Sequence, residues 1–131
     1  MKLLLDTHTL LWSLFEPERL SPKVRGLIGD TQNESTVSYA SFWEITVKIA
    51  KGKLKVPGSS VKPILAESRD LGFRFLAFKD EHLEVLESLP TFADHKDPFD
   101  RMLVAQAIVE GLQILTIDAK IPRYATQTIW K

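Results

Sequence analysis

Four carboxylates lie where the sequence pattern predicts the ends of strands or the first turns of helices. They are Asp6, Glu44, Asp100 and Asp118. In a parallel α/β sheet, ligands gather at the carboxyl ends of the strands. Acidic side chains that converge there without basic partners repel one another, and a hard divalent cation such as Mg²⁺ relieves the repulsion. This arrangement points to metal-assisted chemistry on a phosphodiester.

Each acid also has a purely structural explanation. Asp6 could cap the helix that follows it, and Asp118 could open a turn. Glu44 precedes Lys48 by four residues, a spacing that stabilises exposed helices by a few tenths of a kcal/mol. However, the predicted helix at 41–51 is apolar nearly all round, which is typical of a largely buried helix. Glu44 is therefore predicted to face a polar cleft.

The Asp97-Pro98-Phe99-Asp100 segment contains two acids with different expected roles. Asp followed by Pro is an N-cap signature, and Asp100 then falls in the first turn, where the helix dipole favours an acid. The structural explanation accounts well for Asp97 and adequately for Asp100. We therefore expect Asp97 to cap the helix and Asp100 to face the site.

Composition sets the outer limits. The 131 residues suit one domain spanning 1–131, and 17 basic against 17 acidic side chains exclude a polycation. Any nucleic acid must then be bound by a local patch or through metal ions. With no cysteine, disulfides and thiolate metal sites are excluded, which suits the cytosol. We expect neither a signal peptide nor a membrane span, because no apolar run is long enough.

Strand and helix patterns alternate along the chain. Strands are predicted at 2–5, 35–38, 73–78, 113–117 and 128–130. Helices are predicted at 8–15, 22–28, 41–51, 61–71, 80–89 and 98–110, the fifth capped by Asp80. This alternation predicts an α/β fold, with a mostly parallel sheet covered by helices on both faces.

Several segments carry a family resemblance. They are residues 4–8, 38–44, 51–53, 95–101, 105–107 and 115–118, of which Trp43-Glu44 and Asp97-Pro98-Phe99-Asp100-Arg101 are the most specific. In order and spacing, the chain resembles the PIN-domain nucleases, and among them the VapC-type toxins of bacterial toxin–antitoxin pairs. The resemblance spans essentially the whole chain.

The resemblance implies a small three-layer α/β/α fold and an Mg²⁺- or Mn²⁺-dependent endoribonuclease that leaves a 5′-phosphate and a 3′-hydroxyl. The metal-binding and catalytic acids carry over to Asp6, Glu44, Asp100 and Asp118, with Thr7 and Thr116 as hydroxyl neighbours. No further acid follows Asp118, which leaves open whether one or two ions bind. The resemblance also implies an RNA substrate, a separately encoded antitoxin, a homodimer and a cytoplasmic location.

Other polar residues have two interpretations. The basic run Lys48, Lys51, Lys53 and Lys55 could bind RNA phosphates or form a solvated face. Arg101 could hold a phosphate or pair with Asp97. The three histidines lack zinc-ligand spacing. His95 is expected to support the acids and His82 to lie on the surface.

The three tryptophans lie in apolar patterns, which predict core positions.

Two other classes of function remain open. A haloacid-dehalogenase-like phosphatase also begins with a strand ending in Asp, but it needs a second acid two residues on, where this chain has His8. The other class is a non-catalytic binding module on the same fold. The presence of all four acids argues against it.

Overall fold

A computed structural model describes residues 1–124 and 126–131. Within these residues, five strands form one sheet in the order β3-β2-β1-β4-β5, and every neighbouring pair is parallel. The strands are β1 Lys2–Leu5, β2 Glu34–Ser38, β3 Arg74–Leu76, β4 Gln113–Leu115 and β5 Thr128–Ile129. The predicted parallel sheet is confirmed. β4 is shorter than predicted because its partner strand β1 ends at Leu5, opposite Leu115.

The six predicted helices are all present, and their ends lie within two residues of the predicted ones. They are α1 Thr7–Phe15, α2 Pro22–Gly29, α3 Tyr39–Ala50, α4 Val61–Asp70, α5 Asp80–Ser88 and α6 Pro98–Glu110. α3 begins earlier than predicted because the Ser38 side chain caps it by accepting from the Ala40 backbone N–H. The predicted cap of α5 was wrong: Lys79 is the N-cap, and Asp80 is the first helical residue.

Alternating side chains of β1 pack on opposite faces of the sheet, as the two-residue period of a strand requires. Leu4 belongs to the core beneath α5 and α6, whereas Leu3 and Leu5 belong to the core beneath α1, α2, α4 and most of α3. All three leucines are fully buried. The result is a three-layer α/β/α sandwich, as predicted.

His82 corrects a further prediction, because it is fully buried rather than on the surface. Its Nδ1 accepts from the Lys79 backbone N–H at 3.1 Å, and its Nε2 lies 2.9 Å from Glu110 Oε2. Both ring nitrogens therefore have partners, which is what a buried imidazole requires. His82 links α5 to α6 and does not contribute to the cavity described below.

In the part of the chain that is described, no helix has the length and apolar character needed to cross a membrane.

Two glycines without close neighbours should respond oppositely to an added methyl group. Gly111 ends α6 with φ +69°, whereas Gly26 lies inside α2, and a Cβ at either position would meet no atom within 4 Å. Gly111→Ala should cost about 1 kcal/mol because of its left-handed backbone. Gly26→Ala should stabilise the protein by about 0.5–1 kcal/mol. Urea unfolding of both variants tests the pair, and a stabilised Gly111→Ala protein would contradict the assigned helix end.

Candidate active site

The four predicted acids come together in one cavity of about 110 Å³ at the carboxyl edge of the sheet. The residues that line it are Asp6, Thr7, His8, Glu44, Lys48, Asp97, Asp100, Ile117 and Asp118. Asp6 directly follows β1, and Asp118 follows the neighbouring strand β4. Since these strands are parallel neighbours, both chain segments leave the sheet at the same edge. Glu44 and Asp100 reach the cavity from α3 and α6.

Asp6 caps a helix and also lines the cavity, so its two interpretations are compatible. Its Oδ1 accepts from the Thr9 backbone N–H at 2.8 Å, which caps α1. The residue is 6% exposed. This burial raises the pKa of Asp6, and hydrogen bonds from the Thr116 side chain and from Thr9 act in the opposite direction. Asp6 therefore caps α1 while it lines the cavity.

Glu44 is buried and held through both carboxylate oxygens. The Thr7 hydroxyl donates to Oε1 at 2.7 Å, and Lys48 Nζ donates to Oε2 at 2.6 Å. The Ser41 hydroxyl oxygen lies 3.1 Å from that of Thr7. The hydrogen bond to Glu44 raises the pKa of Lys48, so its ammonium stays charged. The acids were expected to converge without basic partners, and Lys48 corrects that expectation.

Asp100 is partly buried and lies among the charges of the other three acids and of Asp97. Burial, followed by the charges of Asp97, Glu44, Asp6 and Asp118, raises its pKa to about 7. Asp97 caps α6 as predicted, because its Oδ1 accepts from the backbone N–H groups of Phe99 and Asp100. The cap and the helix dipole favour negative charge at this helix start. They do not compensate for the crowding of carboxylates at Asp100.

Asp118 lies at a turn and also lines the cavity. Its Oδ1 accepts from the Lys120 backbone N–H at 2.8 Å, and its own N–H donates to Thr116 Oγ1 at 3.0 Å. Thr116 is also hydrogen-bonded to Asp6. The predicted hydroxyl neighbours therefore have distinct positions: Thr7 contacts Glu44, and Thr116 connects Asp6 with the turn at Asp118.

His95 and Arg101 lie beside Asp100 rather than at the cavity wall. His95 Nε2 is 3.4 Å from Asp100 Oδ2, and its Nδ1 is 2.8 Å from Tyr124 Oη. Arg101 donates to the Pro90 carbonyl and to Tyr124 Oη. It does not pair with Asp97, so that predicted role was wrong. The predicted contact of Arg101 with a substrate phosphate stays a prediction.

Trp43 contradicts its predicted core position, because it is 58% exposed. It packs edge-to-face on Phe99 with ring centroids 5.1 Å apart. In the sequence, Trp43 directly precedes Glu44 and Phe99 directly precedes Asp100. Trp12 and Trp130 are partly buried and contact each other, in agreement with the prediction. An apolar sequence pattern did not indicate which side of α3 other elements would cover. Ile117, also exposed, lines the cavity and was missed.

The basic run separates into two parts. Lys48 reaches the cavity, as its spacing of four from Glu44 had indicated, whereas Lys51, Lys53 and Lys55 are exposed. Their exposure is compatible with both interpretations, a solvated face and a contact with RNA phosphates. Lys55 lies beside a separate surface depression that His8 and Trp12 also line.

The donors around the cavity suit a hard divalent cation. Carboxylate oxygens are the ligands that Mg²⁺ prefers, and Mn²⁺ accepts them equally. The raised pKa of Asp100 reflects its burial and, after that, the negative charges of the acids around it. One lysine compensates for only part of four clustered carboxylates. A cation held here by these acids is consistent with both observations.

The protein is a small parallel α/β/α sandwich with a cluster of acids in a cavity at the carboxyl edge of its sheet. A family model for the PIN domain matches residues 3–127. The chain therefore belongs to the PIN domain family. No protein of curated function matches it significantly in sequence.

Three solved structures have the same fold. The VapBC2 complex from Rickettsia felis, bound to a promoter DNA fragment, contains a chain with TM-score 0.75 and 13% identity, and the match covers 100% of both chains. A VapBC-1 structure from nontypeable Haemophilus influenzae has TM-score 0.69 and 14% identity, covering 98% of this chain and 97% of that one. FitAB bound to DNA has TM-score 0.61 and 18% identity, covering 97% and 93%.

The two acids of the α6 start should affect stability in opposite directions. The pKa of Asp100 is about 7 in the folded protein against 3.8 for an unperturbed aspartate, so the folded state retains its proton to higher pH than the unfolded state. Stability of the metal-free protein should fall as pH rises between these values. Asp100→Asn should make this fall smaller, because the raised pKa of Asp6 still contributes to it, and should stabilise the protein at pH 8 by roughly 1–3 kcal/mol.

Asp97→Ala should instead destabilise the protein by about 1 kcal/mol through loss of the cap. Measuring at pH 5, where Asp100 is mostly protonated, separates this loss from the relief of repulsion between the two acids. Urea unfolding in EDTA from pH 4 to pH 8 provides both results. A destabilised Asp100→Asn protein at pH 8 would contradict the assignment.

Proposed function

We propose that this protein is a metal-dependent endoribonuclease that hydrolyses RNA phosphodiester bonds with Mg²⁺ or Mn²⁺, and that it is the toxin of a type II toxin–antitoxin pair. The observation that carries the proposal is the convergence of Asp6, Glu44, Asp100 and Asp118 on one cavity, where Asp100 has a pKa of about 7. Membership of the PIN domain family supports nuclease activity. These four acids are the proposed catalytic and metal-binding residues.

The charges explain why the site needs a cation. A phosphodiester is an anion, and the four carboxylates alone would repel it. A bound divalent cation polarises the phosphoryl oxygen and lowers the pKa of water. The residues that would hold it are Asp6, Asp100 and Asp118, with Glu44 either joining them or orienting the attacking water.

The protein's own side chains would bind and orient the substrate. Lys48, charged and fixed against Glu44 at 2.6 Å, places a positive group where a phosphate oxygen would enter. Thr7 donates to the other Glu44 oxygen and so fixes the carboxylate plane. Glu44 can then accept a proton from water beside the phosphate. No side chain has to form a covalent bond to the substrate.

A separately encoded antitoxin is the proposed protein partner. The similar VapBC and FitAB structures are complexes, two of them bound to DNA. A homodimer and a cytoplasmic location, where the RNA substrate is available, complete the proposal. Sequencing the neighbouring genes and purifying the chain with the product of an adjacent short reading frame tests the partner directly.

Cleavage of a structured RNA provides the test of the activity. Wild-type protein should cleave with Mg²⁺ or Mn²⁺ and not with EDTA. Asp6→Asn and Glu44→Gln should each lower the rate at least about 100-fold, since each removes a charge from the cavity. Asp70→Asn and Glu87→Gln, on exposed positions, are matched controls that should retain full activity. Undiminished cleavage by Asp6→Asn would contradict the proposed site.

The same assay separates the other classes of function. A non-catalytic binding module would leave the RNA intact under every condition. A phosphatase would release inorganic phosphate from a phosphomonoester, and internal RNA bonds would survive. Analysis of the RNA ends and of phosphate release from p-nitrophenyl phosphate distinguishes these results from endonucleolytic cleavage.

Metal binding should stabilise the fold, because the cation relieves repulsion among the buried carboxylates. A ligand that binds only the folded state adds about 2.7 kcal/mol at 100 times its Kd. Thermal unfolding should therefore shift upward in millimolar Mn²⁺. The shift should shrink in Asp100→Asn, whereas Asp70→Asn should shift like the wild type. A midpoint that does not move would mean that the cavity holds no cation.

A further inference from the structure

We propose that His95 supplies a nitrogen ligand to a divalent cation held together with Asp100 and Asp118, and that this nitrogen favours Mn²⁺ over Mg²⁺. The inference deepens the proposed function, and rests on it, because Asp100 and Asp118 line the cavity and His95 lies directly behind Asp100. It adds a ligand of a different chemical class to the four carboxylates. Its test measures metal binding rather than RNA cleavage.

The three side chains can share one ion. One ligand atom from each of His95, Asp100 and Asp118 can be chosen so that all three lie within 4.8 Å of one another. Around an octahedral ion with bonds of about 2.1 Å, neighbouring ligand atoms are about 3 Å apart and opposite ones about 4 Å. His95 Nε2 and Asp100 Oδ2 are 3.4 Å apart, close to the separation of neighbouring ligands.

The His95 ring also has an unused nitrogen at this point. Its side chain is 4% exposed, and Nε2 has no hydrogen-bond partner among the described residues. The contact with Asp100 is close, but it is not aligned as a hydrogen bond. Leaving a buried polar atom without a partner destabilises the folded protein. A cation in front of Nε2 and the Asp100 oxygen would satisfy both atoms.

The other side of the ring is held as a metal-binding histidine requires. A ligating histidine usually donates its second ring N–H to an oxygen, which fixes the tautomer and the ring orientation. Here Nδ1 lies 2.8 Å from Tyr124 Oη, which also accepts from Arg101 at 3.1 Å. A phenol oxygen has two lone pairs and can accept both bonds. Tyr124 is 2% exposed and packs on His95, so the ring has little freedom to turn.

The chemistry of the donor predicts the metal preference. Imidazole nitrogen suits Mn²⁺ and later first-row ions better than Mg²⁺, which prefers oxygen ligands and keeps its water. If His95 instead donated a proton from Nε2 to Asp100, no nitrogen would contact the ion. The two arrangements therefore differ in one measurable property, the presence of histidine nitrogen on the bound metal.

Pulsed EPR of Mn²⁺ bound to the full chain without RNA detects that nitrogen. We expect ¹⁴N coupling in wild-type protein, replaced by ¹⁵N coupling when the protein is made with ¹⁵N-histidine. This comparison needs no substitution and so does not depend on the folding of a variant. His95→Gln should lose the coupling. His8→Gln is the matched control, because His8 also lines the cavity, and it should retain the coupling.

The outcomes separate the two proposals. Bound Mn²⁺ without histidine coupling would overturn the role of His95 and leave the cation site intact. A coupling lost in His8→Gln and kept in His95→Gln would also overturn it. A spectrum of free hydrated Mn²⁺ at millimolar protein would overturn the cation site itself, and His95 with it.

Calorimetric titration supplies a second readout. His95→Gln should weaken Mn²⁺ binding about 10- to 100-fold, the range found when metal-site partners are removed. Its effect on Mg²⁺ should be less than threefold. Equal weakening of both ions, with near-ultraviolet circular dichroism like that of the wild type, would contradict a nitrogen ligand.

Discussion

The parallel pairing of β1 with β4 is the constraint on which the acidic cavity depends. Leu5 lies opposite Leu115, so Asp6 and the turn at residues 116–118 leave the sheet side by side. The paired residues are fully buried. Burying one such side chain contributes roughly 1.5–3 kcal/mol. Packing energy in the sheet thus holds together carboxylates that would otherwise separate. A register shift of one residue would move every side chain of β1 to the opposite face of the sheet.

Compensation of the charges in the cavity is uneven. Asp6 accepts from Thr9 and Thr116, and Glu44 accepts from Thr7 and Lys48. Asp100 has the nearby ring of His95 but no aligned hydrogen bond from it. Asp100 is therefore the acid with the least direct compensation, and its burial together with the negative charges around it raises its pKa to about 7. A cation bound at Asp100 would add positive charge where direct compensation is weakest.

Sequence patterns predicted the elements and the acids because both depend on local rules. The Asp97-Pro98 cap, the strand ending at Leu5 and the spacing of Glu44 and Lys48 can each be read from a few neighbouring residues. Side-chain burial depends instead on distant elements. His82 is buried because Glu110 from another helix satisfies its ring, and Trp43 is exposed because no described element covers that side of α3. Arg101 binds Tyr124, a partner 23 residues away.

The start of α6 combines structural and chemical roles within seven residues. Asp97 satisfies two backbone N–H groups of the helix, and this fixes the turn from which Asp100 projects. Arg101, next along the helix, binds the Tyr124 hydroxyl that contacts His95. Tyr124 holds the Nδ1 side of the His95 ring, so that the Nε2 side faces Asp100. Because each of these side chains positions another, a loss of activity in one of them does not by itself identify a metal ligand. A metal ligand is identified only by direct contact between its atom and the ion. Spectroscopy of the bound metal detects this contact, so at this site it distinguishes ligands from positioning residues better than rates of cleavage do.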